Sequence, residues 1–402
     1  MVGNIRFHFL FLWSALLFSG CSYMPSMPST VSDMFWDDED VAGFIEPKPG
    51  RSVGLKVKWD RGVAGEPDDY MNHPRQIAVT DDSIFVGTFE GSVVRVDMES
   101  GEVLWEAEIG QSVVGGVAVD DERVFAGMVD GKVAAFSRDS GSVLWEVWLS
   151  TTVASAPLVA DGKVFFTTLN NRTYALSVDS GERIWTHSSV PVALVVKGAA
   201  TPTTDGRAVY VGYSTGEVFA FNISDGKIMW GKNLSQLSGR SEVDRLQDVD
   251  AEVVVGQTNS SNGQFIIYTV NHQGSVMAMR PADGSQLWQR KFSAIRRPLL
   301  WKNQIFISNI DGNIVSMSAE DGMEVWRTKI SDGYLSAPVK LGSRIVVGDN
   351  KGRLFSLDPT SGRVVGLDKL NDPIIANPVV KGNSLFIWTN EGDLIRYEAE
   401  NH

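Results

Sequence analysis

Residues 91–105 read GSVVRVDMESGEVLW, and this stretch decides the fold because the chain writes it again and again. Its frame is Gly, a short apolar run, a polar turn, then Gly-x-x-apolar-Trp. It recurs as Gly131 … Gly141 … Trp145, Asn171 … Gly181 … Trp185 and Gly216 … Gly226 … Trp230. It continues as Gly274 … Gly284 … Trp288 and Gly312 … Gly322 … Trp326. A seventh copy, Gly352 … Gly362, has Gly366 in place of tryptophan, and an eighth begins at Gly392. The starting positions step by 40, 40, 45, 58, 38, 40 and 40 residues. A fixed period near 40 marks a repeat architecture, each copy one supersecondary unit.

The units alternate apolar and polar residues, as in Val93-Val94-Arg95-Val96, and are cut by Asp-Gly or Ser-Gly turns. Period two, β-branched residues and hairpin glycines spell strands, and no segment holds a 3.6-residue period. A proline recurs before an apolar run at Pro157, Pro202, Pro298, Pro338 and Pro378. At a strand's first residue it sacrifices no ladder hydrogen bond. About four short strands per 40 residues predict an all-β fold, an eight-bladed β-propeller of four-stranded antiparallel blades.

The eighth copy ends before its Gly-x-x-x-Trp strand. Leu55-Lys56-Val57-Lys58-Trp59 reads like Val103-Leu104-Trp105, so residues near 55–61 are expected to pair with 392–397 and close the ring. Trp59, Trp105, Trp145, Trp185, Trp230, Trp288 and Trp326 then share one repeat position, which predicts a single structural role, docking blade on blade.

Upstream, Phe7–Phe18 (FHFLFLWSALLF) is apolar but too short to cross roughly 30 Å of hydrocarbon as a helix. With Arg6 before it and Ser19-Gly20 after it, residues 1–20 read as an export signal. Cys21, the single cysteine, follows, and Leu17-Phe18-Ser19-Gly20-Cys21 resembles the bacterial lipobox. That resemblance implies cleavage before Cys21 and a diacylglycerol on its sulfur. Ser22, where sorted lipoproteins retained at the inner membrane carry Asp, points to the outer membrane. Residues 21–52, with MPSMPST and the acidic run Asp37–Asp40, read as a flexible lipidated tether, and 53–402 as the propeller.

The net charge of −13 argues against nucleic acid as partner. One cysteine rules out an internal disulfide and cysteine-based zinc or iron–sulfur sites. His8, His73, His187, His272 and His402 are scattered, and no GxGxxG, P-loop, G-x-S-x-G or H-E-x-x-H is present.

The repeat resembles the tryptophan-docking repeat of the pyrroloquinoline-quinone (PQQ) dehydrogenase superfamily, which implies eight blades and raises an enzyme or quinone sensor as one reading. The enzymes' adjacent cysteines are absent here, and no catalytic residue, metal or cofactor is expected. The lipobox with eight repeats resembles, over essentially the whole chain, the BamB lipoproteins of the outer-membrane β-barrel assembly machinery. Two stretches carry that resemblance further: Val190-Pro191 … Leu194-Val195-Val196-Lys197-Gly198, and Ser241–Asp250 (SEVDRLQDVD) in the 58-residue interval. The resemblance implies a non-enzymatic scaffold that binds a POTRA domain of BamA through Leu194, Val196, Lys197, Asp248 and Asp250. Asp244 and Arg245 would support the loop. It also implies the machinery's other subunits, and unfolded outer-membrane proteins, as partners. From the residues alone, Asp248 and Asp250 could equally cap turns and Leu194–Val196 form a buried strand. A further reading is direct capture of nascent barrel strands along exposed blade edges.

Overall fold

The computed structural model describes residues 55–64, 76–189, 200–234, 253–258, 264–271, 275–294, 296–309, 311–374 and 376–399. They form eight four-stranded antiparallel sheets. Blade 1 consists of strands Ala78–Val79, Ser83–Gly87, Ser92–Asp97 and Val103–Glu108, in that order from the axis outward. Blades 2 to 7 repeat it. Blade 8 has only three strands from the C-terminal end, Val379–Lys381, Ser384–Trp388 and Asp393–Ala399; its outermost is Leu55–Gly62.

That strand runs antiparallel to Asp393–Ala399, from Leu55 opposite Ala399 to Gly62 opposite Asp393. It also keeps a detail of the repeat. In the other seven blades the ladder between third and outermost strand slips just before the tryptophan position, as Arg95 faces Trp105 but Val96 faces Val103. Here Trp59 faces Arg396 and Val57 faces Tyr397, so Lys58 is the extra residue. A bulge re-aims the side chain beside it, and here it turns each ring toward the next blade.

Alternation along a strand can set one face in water and the other in the core. Only the outermost strands behave so, as in Val103–Glu108. The second and third strands are buried on both faces, Ser83–Gly87 completely and Lys163–Thr168 nearly so, because each blade lies between two others. Their apolar side chains form layers between blades; Trp59, Ile84, Val94, Phe386 and Leu394 pack together where blade 8 meets blade 1.

The prolines at 157, 202, 298, 338 and 378 stand directly before first strands. In the turns after those strands Asp161, Lys302, Gly342 and Gly382 take φ of 53°, 55°, 57° and 59°. Asn171 fills the repeat's leading glycine position at φ 57°. Asparagine tolerates this left-handed region better than most residues.

Candidate partner-binding face

Blade contact begins with the tryptophan. The ring of Trp59 lies against Gly101 so closely that a Cβ there would stand 2.7 Å from it. Trp105 meets Gly141 in the same way, as do Trp145 and Gly181, Trp185 and Gly226, Trp230 and Gly284, Trp288 and Gly322, and Trp326 and Gly362. Those glycines also hold positive φ, from 64° to 73°. Glycine is therefore needed twice, for the turn and for the ring.

Six of the seven indole N–H groups then reach a carbonyl just before that glycine. Trp59 donates to Met98 (3.1 Å), Trp105 to Arg138 (2.9 Å), Trp145 to Val178 (2.9 Å) and Trp230 to Pro281 (2.7 Å). Trp288 donates to Ala319 (3.0 Å) and Trp326 to Pro359 (2.9 Å). Trp185 differs: its Nε1 is buried and has no hydrogen-bond partner among the described residues. That seam, from blade 3 to blade 4, is aromatic instead, with Phe221 5.5 Å from Trp185 and 4.8 Å from His187, ring centre to ring centre. Burial depresses the pKa of His187 against the upward pull of Glu217.

A second aromatic position escaped the sequence reading. Phe85, Phe125, Phe165, Tyr210, Tyr268 and Phe306 of the second strands each lie 5.6–6.1 Å from the tryptophan of their own blade. Blade 7 has Val346 there, opposite Ser356, which in turn faces Gly366. The signal was present in runs such as VFFTT and VYVGY, but it does not announce a partner 20 residues away. Blade 7 also explains its missing tryptophan. The receiving glycine lies in the turn between third and fourth strands, and in blade 8 those strands come from opposite ends of the chain.

The connectors between blades join an outermost strand to the next blade's first strand, so all emerge on one face. Two of them, from Ser188 to Thr203 and from Asn233 to Val254, flank blade 4. Leu194, Val196, Lys197, Asp244, Arg245, Asp248 and Asp250 belong to these connectors and lie outside the described residues, as does Cys21. On the same face Asp393, at the closing ladder, has its carboxyl pushed up to about 6 by burial, by a hydrogen bond with Asp372 and by the charge of Asp60. A quinone–calcium centre would need carboxylates and amides around the metal. Among the described residues, no group of three or more His, Cys, Asp or Glu side chains is placed to hold a metal ion.

The PQQ_2 family model, described as "Outer membrane protein assembly factor BamB", matches residues 89–328 and 310–401. The chain belongs to the BamB family. The BamB of Pseudomonas aeruginosa is 45% identical over 243 residues, 60% of this chain and 62% of that protein. The BamB of Escherichia coli K12 is 30% identical over 115 residues, 29% of this chain and 28% of that protein. These aligned stretches span less than two thirds of the relatives' own lengths. The crystal structure of BamB from Moraxella catarrhalis superposes with a TM-score of 0.74 at 21% identity, covering 87% of this chain and 99% of that one. The quinohemoprotein alcohol dehydrogenase of Comamonas testosteroni gives 0.67 at 13% identity, covering 87% and 77%. At these identities the likeness shows the shared propeller alone, so the family match separates BamB from the quinoproteins.

Proposed function

We propose that this chain is a non-enzymatic scaffold lipoprotein of the outer-membrane β-barrel assembly machinery, working on the periplasmic side. Its membership of the BamB family carries this reading. In it, residues 1–20 direct export, Cys21 is lipidated, and residues 21–52 tether the propeller. Acyl chains contribute about 0.8 kcal/mol per buried CH₂, so several hold a protein stably on a bilayer.

The partner contact is assigned to the two connectors that flank blade 4, with Leu194, Val196, Lys197, Asp248 and Asp250 meeting a POTRA domain of BamA. Asp244 and Arg245 would hold the longer connector in shape. Neighbouring loops on one face of a rigid ring suit a small contact of mixed apolar and charged character. The test is Asp248→Ala with Asp250→Ala in the full lipidated chain. Co-purification of BamA should drop at unchanged thermal midpoint, and undiminished recovery rejects the assignment.

One observation favours a second activity beside it. The outermost strands expose apolar side chains along free edges, with Val103, Leu104, Val143, Leu144 and Ile228 each about half exposed. Such an edge is a template for an added strand. Site-specific crosslinkers at Leu144 and Ile228 should trap unfolded outer-membrane proteins, and traps that yield BamA alone dismiss it.

A further inference from the structure

We propose that the mouth of the central channel opposite the blade connectors binds a small organic anion, held by Lys302 and Lys340 beside Trp301. The inference does not rest on the scaffold reading.

The channel is a cavity of about 940 Å³, walled by first strands. That is room for a small molecule. Its walls are largely apolar, with Val79, Val119, Leu158, Val255 and Val379 among them. The chain has 49 acidic residues against 36 basic ones, yet no Asp or Glu is among the described residues lining this cavity. First strands run from the connector face to the opposite face. Trp301, the last residue of Leu299–Trp301, and Lys302 after it therefore mark the far mouth.

Two cations converge there. Lys302 Nζ lies 4.9 Å and Lys340 Nζ 5.6 Å from the centre of the Trp301 ring. Neither meets a carboxylate among the described residues. The ring's negative face tolerates one ammonium well. Two ammoniums held on one ring repel each other, and an anion that meets both relieves that repulsion. Because the ammoniums approach the ring, the ligand is held by charge rather than by stacking on Trp301.

The backbone supplies an independent observation. Lys302 holds φ 55° in a turn where blades 7 and 8 use Gly342 and Gly382 at 57° and 59°. Glycine takes this geometry without strain and lysine does not. A strained residue kept where glycine would serve points to a use for its side chain. The first turns of blades 1 to 4 carry Asp81, Asp121, Asp161 and Asp205, whereas those of blades 6, 7 and 8 carry no carboxylate.

Pyrene-1-butyrate tests this, followed by its fluorescence on titration with the full chain. Pyrene-1-butanol serves as the uncharged control. The acid should bind saturably, at least about tenfold tighter than the alcohol, and weaken in about 0.5 M salt. In Lys302→Gly with Lys340→Ala, its Kd should rise about tenfold or more. The single variant Lys302→Gly, which removes strain together with charge, should melt no lower than the parent while binding less well. Equal affinity for acid and alcohol, an unchanged Kd in the double variant, or no saturable binding overturns the proposal. Displacement of the acid by hexaglutamate at lower concentration than by 1-naphthoate overturns it too, by assigning the mouth to an acidic protein segment.

Discussion

Trp59 and Arg396 face each other across the closing ladder and donate to the same carbonyl, that of Met98 in blade 1, at 3.1 and 2.7 Å. Arg396 is almost wholly buried and also pairs with Glu99 (2.8 Å) and Glu398 (3.2 Å). Trp105 and Arg95 repeat the arrangement on the carbonyl of Arg138. The blades that follow place Ala or Ser opposite the tryptophan. The seam where the two ends of the chain meet is thus pinned twice.

Trp59→Ala should therefore cost about 3–5 kcal/mol, the usual range for a large buried aromatic. Arg396→Ala should cost about 1–3 kcal/mol, because it removes a buried charged donor from the Met98 carbonyl and the Ser384 hydroxyl. Since either donor alone still satisfies that carbonyl, the double variant should lose more than the two singles combined. Denaturant titration reads this, and strict additivity would show the two contacts to be independent.

The seams should differ in their need for an indole N–H. Trp145→Phe leaves the buried Val178 carbonyl without its 2.9 Å donor and should cost about 1–3 kcal/mol. Trp185→Phe removes a buried N–H that has no partner, and should be near neutral or stabilising. Equal losses at the two sites would mean that ring area alone matters.

Asp393 gives a pH dependence of definite sign. Burial, the bond with Asp372 and the charge of Asp60 raise its carboxyl to about 6. The folded chain then holds a proton that the unfolded chain releases near pH 4, so stability falls as pH rises from about 4 through 6. Asp393→Asn fixes an uncharged group there. It should match the parent near pH 4 and exceed it by about 1 kcal/mol at pH 8, allowing for solvent screening. Thermal midpoints at the two pH values check this, and a gain at pH 4 alone would contradict it.

Asp332 gives the opposite sign. Against the upward push of burial, hydrogen bonds from Arg353 and Lys351 hold its carboxyl down at about 2. Arg353 Nη2 lies 2.5 Å from Asp332, and its guanidinium also meets Asp349, which is fully buried, at 2.7 Å. The contribution is complete above about pH 4 and is lost as pH falls toward 2. Asp332→Asn should be less stable than the parent at pH 7 and level with it near pH 2. A constant deficit across that range would assign the loss to packing.

The ring was legible because its period is written in glycines and tryptophans that no tertiary contact needs to disclose. The closing strand was legible for the same reason, since Leu55–Trp59 reads like the strand around Val103–Trp105. What each tryptophan touches was not. Gly101 serves Trp59 across a blade boundary, and sequence spacing marks equivalent positions without showing which of them meet. The gap at Gly366 could be seen but not explained until blade 8 proved to lack the receiving turn. The polar exceptions, Arg396, Arg353 and Asp393, sit in otherwise ordinary strand text. Arg396 is buried against blade 1, Arg353 against Asp332 of the preceding connector, and Asp393 beside Asp372 of another, and periodicity within one repeat does not report such partners. Lys302 shows the same limit, since one residue after a strand carries no sign that its φ is positive.

The pairing of Leu55–Gly62 with Asp393–Ala399 has a kinetic consequence. Its contacts span nearly the whole propeller in sequence, whereas every other ladder joins strands close together in the chain. Local hairpins can form early at small entropic cost, but this ladder requires closing the longest loop the domain contains. Seven blades can be in place while the ring stands open, its first strand unpaired and the layer around Trp59 incomplete. Closure is then the step that commits the molecule. A chain stopped short of Asp393 has no such step, which makes the final strand a check on the completeness of everything before it.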